Sequence, residues 1–459
     1  PYLGQERRHA LAPLREHRAR LAEGPAAPLL ARAATPVMLG GLTDGVARMM
    51  ADALEPFGLH ALQAGGGSRR SGGRGRARGE GASFVDGGAL GVQLMRGDIT
   101  ATAVGTVTHV GGRRLVAFGH PMLNGGQLGL PTAAARVLHI FKSQSRSFKI
   151  AEAVQPRGTM IHDRLSTIVV DQGTEATVVP LTVRLHGVEG APRDRWRVEI
   201  PSHRLLSPAL AFAAVSNAVE ATASDTTDVV FRARSRVRIA GYGDVEVEDR
   251  GYSFAGAGSP AAFGQLRLFD LMEVAYGNPF REARIERAEV DLHVDFSRDV
   301  VEIVDASVPA TEVDPGATVP LRVVTRRFGE EPRSRVVPLR IPHRAAGAAI
   351  EVELLPGNQV DLERPEPGDL DDLVEGVLRR HSSTALVTSI KMPSRGLRFR
   401  GHVVRALPAS GLDTLQLVND SAHGRPFVTE ERQVVDVGSV LSGSAKLELK
   451  VRKAPREGK

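Results

Sequence analysis

The stretch LVAFGHPML, Leu115 to Leu123, closes an apolar run on Gly119, His120 and Pro121. A glycine that admits a tight backbone and a proline that fixes φ would hold the intervening imidazole in one orientation, as a general base requires. The bland reading of His120 is a turn histidine bonded to a neighbouring carbonyl. A base also needs a nucleophile and, commonly, an acid to orient it. Asp98 and Asp163 lie in the same region, and Asp163 stands beside Arg164 in a pairing that equally suits a structural ion pair or turn. Ser143, Ser145 and Ser147 in FKSQSRSFK, flanked by Lys142 and Lys149, raise the idea of a serine–lysine pair. Their dense charge fits a solvated loop better.

Other chemistries have less support. No two histidines have HExxH spacing, and the 459 residues include no cysteine, which removes disulfides, thiolate metal ligands and a cysteine nucleophile together. There is no P-loop, and GHPMLNGGQLG lacks the spacing and following acid of a dinucleotide fingerprint. No metal or cofactor is expected. A net charge of +6 would suit an anionic partner, yet lysine and arginine are scattered and aromatic residues make up only 4%, so no nucleic acid is expected. No apolar run reaches the roughly eighteen residues of a membrane span. The chain opens on Pro1 with no visible leader and is read as a fragment or processed form.

The elements that would position His120 are short strands. ALGVQLMRG, ITATAVGTVTHV and RRLVAFGHPM are β-rich, with Gly111 and Gly112 as a hairpin turn, and STIVVD and ATVVPLTVRL follow. PTAAARVLHIF reads as a short helix with Pro131 in its first turn. The fold class expected is mainly β with a few helices. Residues 1–63 read as a helical N-terminal segment with Thr43 as an N-cap, 64–83 as a Gly/Arg linker, and 84–200 as the β domain. Residues 201–277 read as a helical connecting region, with Ser207 and Pro208 opening one helix and a second ending at Gly277. Strands with turn signals over 278–360 suggest an immunoglobulin-like β-sandwich, and 361–459 an α+β segment.

GALGVQLMRGDITATAVGTVTHVGGRRLVAFGHPML resembles the SpoIVB serine peptidase family, through a GxGTxT-type strand and a following Gly-His strand. The matching residues are Gly105, Thr106, Thr108, Gly119 and His120, with Pro121 beside them. Downstream, Ser147 to Lys149, Gly158 and the pair Asp163 and Arg164 look like the later part of the same domain in larger bacterial relatives. The resemblance covers roughly residues 88–185. It implies a trypsin-like double β-barrel, a protein or peptide substrate and a place outside the cytoplasm, with His120 as general base and Asp163 as a weak candidate acid. The family's nucleophile lies in a Gly-Met-Ser-Gly-Ser-Pro motif, which this sequence lacks; the nearest string, AGAGSP, puts Ala257 at the serine position. The nucleophile is therefore unknown and is expected in a segment preceding the chain. The alternative is a non-catalytic envelope protein with a degenerate peptidase domain and β-sandwich binding modules. Neither reading sets an oligomeric state.

Overall fold

The computed structural model describes residues 35–63, 83–142, 148–191, 193–223, 227–256, 260–360, 367–399, 402–404 and 425–453. Residues 1–34 of the expected helical segment and nearly all of the Gly/Arg linker lie outside them. The chain is mainly β and divides into two compact units, the first running from the N-terminus to Asp295 and the second from Phe296 to Lys459, with parts of the 228–254 region assigned to each.

In the first unit, β1 (Thr35–Gly40) and β2 (Leu59–Gln63) pair in parallel around helix α1 (Asp44–Leu54), so this segment is a strand–helix–strand crossover and not purely helical. Thr43 does precede α1, but its side chain makes no capping bond. Next come β3 (Ala89–Gly97), β4 (Thr100–Gly111), β5 (Arg114–Ala117), β6 (Gly126–Phe141), β7 (Phe148–Arg164) and β8 (Thr167–Asp171). Their pairing returns to its start: β3 bonds β4, β4 bonds β5, β5 bonds β8, β8 bonds β7, β7 bonds β6, and β6 bonds β3, every pair antiparallel. A closed ladder leaves none of these strands as an open edge over the paired stretch. Leu90, Val92, Leu115, Leu130, Met160, Ile168 and Val170 on these strands are buried.

The helix expected over PTAAARVLHIF is instead part of β6. Ala133 and Ala134 lie between β3 and β7, where pairing on both sides overrides alanine's helical preference. Pro131 is tolerated because the β6–β7 register shifts on either side of it, leaving its missing N–H at an irregularity.

Beyond the cycle, β9 (Val178–His186) and β10 (Arg195–Pro201) join β3, followed by helix α2 (Leu206–Thr222). This helix is buried on nearly every side, which suits its apolar composition. It begins one residue before Ser207, whose hydroxyl donates to Pro201 O at 2.7 Å and accepts from His203 N at 2.7 Å, within the first turn. The connecting region also contains two strands, β11 (Val229–Ile239) and β12 (Gly243–Ser253). The helix expected to end at Gly277 is broken into α3 (Pro260–Phe263) and α4 (Arg267–Gly277). β13 (Ile285–Asp295) pairs in parallel with β9 and so belongs to this unit. Arg232, Arg234, Arg236 and Arg238 on β11 bridge to carboxylates on β12 and β13, among them Glu246, Glu248, Asp244 and Glu286. Much of the basic charge is thereby paired within the sheet.

The second unit is a two-sheet sandwich. One sheet orders β17 (Arg333–Arg340), β16 (Thr318–Arg327), β14 (Val300–Ser307) and β22 (Val440–Gly443). The other contains β15 (Glu312–Val313), β23 (Ala445–Val451), β18 (Ala349–Pro356), β19 (Ala385–Phe399), β20 (His402–Val404) and β21 (Arg425–Asp436), with α5 (Leu370–Leu378) between β18 and β19. Ile303, Leu321 and Leu339 from the first sheet share a core with Val352, Ile390 and Leu449 from the second. The sandwich therefore does not end at residue 360: the last two strands complete its two sheets.

Candidate functional site

His120 stands just past β5, whose end is tied to both neighbours. Thr167 Oγ1 donates to Ala117 O at 2.8 Å, and Phe118 N donates to Thr106 O at 2.9 Å. Phe118 and Gly119 then both adopt φ of +73°, in the left-handed region. For glycine this is free; for phenylalanine it costs on the order of 1–2 kcal/mol. The Phe118 ring is accommodated over Gly105, where a Cβ would sit 2.2 Å from the ring carbons. Its centroid is 5.8 Å from that of the His120 ring, with the planes tilted 46°.

The half-buried imidazole has Nδ1 2.9 Å from Pro121 O. A carbonyl only accepts, so Nδ1 carries the hydrogen, and in the neutral ring Nε2 presents its lone pair. Among the described residues Nε2 has no hydrogen-bond partner. This is the tautomer a general base needs. The local carbonyl contact of the bland reading and the tautomer of the catalytic one are thus the same bond.

Asp163 is fully buried near the end of β7 and is committed elsewhere. Its Oδ1 accepts from Met122 N at 2.8 Å, and its Oδ2 accepts from Leu123 N at 2.6 Å and Gly125 N at 3.3 Å. No described hydrogen bond joins it to His120, nor does it pair with Arg164. The carboxylate clamps the loop that follows Gly-His-Pro, so its contact with the site runs through backbone. Asp98 is farther along the same sheet, accepting from Arg197 N at 2.7 Å and bridging Arg193 at 2.8 Å.

Lys149 Nζ donates to Thr106 Oγ1 at 2.9 Å, joining the two stretches that carried the resemblance. Thr108 and Lys142 are exposed. Ser143, Ser145, Ser147 and Ala257 lie outside the described residues. Among the described residues no serine hydroxyl is bonded to His120, and no group of three histidine or acidic side chains could hold a metal ion.

Two features escaped the sequence reading. One is Phe118, whose left-handed backbone leaves no periodic trace in the sequence. The other is a hydrogen-bonded couple on the outer face, His109 Nδ1 and Asp86 Oδ2 at 3.0 Å, with Asp86 Oδ1 accepting from Val110 N at 2.7 Å. The His109 bond, then the Val110 N–H, hold the Asp86 carboxyl below its ordinary range. The nearest signal was the Asp86-Gly87-Gly88 turn, which brings the carboxylate back onto β4.

No protein-family model, curated protein or solved structure matches this chain.

Proposed function

We propose that the first unit is the histidine-bearing barrel of a SpoIVB-type serine peptidase acting on a protein or peptide outside the cytoplasm. His120 Nε2 takes the proton of a serine hydroxyl as it attacks the peptide carbonyl, then returns it to the leaving amine. The carrying observation is the His120 geometry: a ring oriented by Pro121 O through Nδ1, with Nε2 unpartnered among the described residues. Three further features support it. Gly105 makes room for Phe118, Thr106 meets Lys149, and Asp163 holds the loop, so motif residues distant in sequence converge on one end of the closed ladder. A six-strand antiparallel cycle is also what one barrel of a trypsin-type peptidase requires. The serine comes from a segment that precedes this one in the family's order.

A second reading, a non-catalytic envelope protein, is favoured by one observation: both Asp163 oxygens are occupied by backbone, so this carboxylate does not orient the imidazole. A fluorophosphonate serine-hydrolase probe separates the two. It would be applied to this chain, to the gene product from its natural start, and to that product carrying His120→Ala. Labelling of the longer product, reduced at least about 100-fold by His120→Ala with an unchanged circular dichroism spectrum, is expected. Labelling that ignores His120→Ala, or none in any form beside an active control hydrolase, overturns the peptidase reading.

A further inference from the structure

The loop that carries the backbone from Pro121 into β6 contains two residues whose types its shape selects. Asn124 has φ of +54°, in the left-handed region that asparagine enters more readily than other residues with a Cβ. At Gly125 a Cβ would lie 2.9 Å from Leu128 Cδ2, on a side chain that is itself buried. The turn thereby sets the chain's one Asn-Gly pair between His120 and β6. The other four asparagines, Asn217, Asn278, Asn358 and Asn419, are followed by alanine, proline, glutamine and aspartate, which shield or lack the backbone N–H.

A backbone nitrogen can attack the side-chain amide of the residue before it, and glycine leaves that nitrogen least hindered because it has no Cβ. Asn124 and Gly125 are both exposed, and no described hydrogen bond holds the Asn124 amide away from Gly125 N. That nitrogen donates to Asp163 Oδ2 at 3.3 Å, the longest of the three bonds this carboxylate accepts from the loop. The nitrogen must shed its proton as it attacks, and a carboxylate is already in contact with that proton.

We propose that Asn124 and Gly125 form a self-modifying site, in which Asn124 cyclises and reopens as an isoaspartyl or aspartyl residue, and that the product loosens the hold of Asp163 on the 122–125 loop. Gly125 N bonds to Asn124 Cγ and the Cγ–Nδ2 bond breaks. Asp163 Oδ2 passes the Gly125 amide proton to Nδ2, which leaves as ammonia. Water then opens the cyclic imide. Cleavage at Asn124 C routes the main chain through Cγ, an isoaspartyl linkage with one extra backbone atom; cleavage at Cγ leaves aspartate. Either product puts a new carboxylate beside Gly125, whose N–H is bonded to Asp163, so like charges meet at the clamp. This rests on the loop alone and is independent of the role given to His120.

The test is to age the folded chain, and the same chain unfolded in guanidinium chloride, at mildly alkaline pH and to follow the tryptic peptide Leu115–Arg136, in which Asn124 is the only asparagine. A gain in mass matching exchange of NH2 for OH at residue 124 is expected, with the isoaspartyl form among the products. The folded chain should react within about tenfold of the unfolded rate, or faster. Asn124→Gln would have to close a six-membered ring, which should slow the change by at least about tenfold. The aged chain should unfold at a lower urea midpoint than the fresh one, and Asn124→Asp should shift the midpoint in the same direction without ageing. Asn124 is exposed, so both variants are expected to fold. A folded chain that reacts more than about tenfold more slowly than the unfolded one, or a product that is aspartate alone, overturns the site. Equal urea midpoints for aged and fresh chains overturn the loosening of the clamp.

Discussion

At the scale of single residues, the site combines one strained position with one saturated carboxylate. Asp163 accepts from three N–H groups of the 122–125 loop, those of Met122 and Leu123 buried, so Asp163→Ala leaves two buried donors without an acceptor. We expect a loss of about 3 kcal/mol or more in urea denaturation, and a smaller loss for Asp163→Asn, which keeps one carbonyl acceptor. Equal stability of Asp163→Ala and the parent would show that the loop does not depend on this clamp. Gly105→Ala tests the other device. Its Cβ would meet the Phe118 ring at 2.2 Å, and the ring cannot retreat without its left-handed backbone, so a cost of about 1–3 kcal/mol is expected. Adding Phe118→Gly removes the clash, so the Gly105→Ala penalty should largely vanish in that background; full additivity would dismiss the contact.

At the scale of elements, legibility followed the source of each element's stability. β3 spans the same nine residues that its β-rich run marks out, and it is paired on both sides, by β4 and β6. β6 was misread because PTAAARVLHIF carries local helix signals, while the decisive terms are its ladders to β3 and β7, and the β3 partners lie 40 to 44 positions away, which no local pattern records. The site divides in the same way. His120 was visible from its glycine and proline, whereas the destination of the Asp163 oxygens and the bond of Lys149 to Thr106 exist only once β4, β6 and β7 are assembled. Asn217 shows how helices are fixed by such distant bonds. Fully buried in α2, it accepts from Thr43 N at 2.7 Å and donates to Gly41 O at 3.0 Å, tying the helix to the turn between β1 and α1. Asn217→Leu, which keeps the branching and heavy-atom count but removes both hydrogen-bonding groups, should cost about 2–4 kcal/mol and raise amide exchange in α1 before it does so in α2. Uniform exchange across both helices would place the tie elsewhere.

At the scale of the whole molecule, each unit has a group that links stability to acid. Partial burial, then the stacked His186 ring, lowers the pKa of His293 in the first unit; burial, then Arg432, lowers that of His381 in the second. Both start from an ordinary value of 6.5, so in each the unfolded chain binds its proton at a pH where the folded chain does not. Their contribution is complete above pH 6.5 and is lost as pH falls below it toward the lowered folded values. Carboxylates act at more acid pH. The Arg113 bond, then the Gly173 N–H, holds Asp171 low. Burial pushes Glu353 up, but Lys391 and Lys446 together outweigh it and leave its pKa lowered. Stability from these two is present above ordinary values of 3.8 and 4.5 and disappears as pH falls through their depressed ones. Acid destabilisation should therefore come in two stages, histidine first. Urea midpoints measured between pH 8 and pH 5 should fall for the parent chain and fall less for a variant carrying both His293→Gln and His381→Gln. The steeper loss below about pH 4 should persist in that variant. If parent and variant lose stability in parallel down to pH 5, the first stage belongs to other groups.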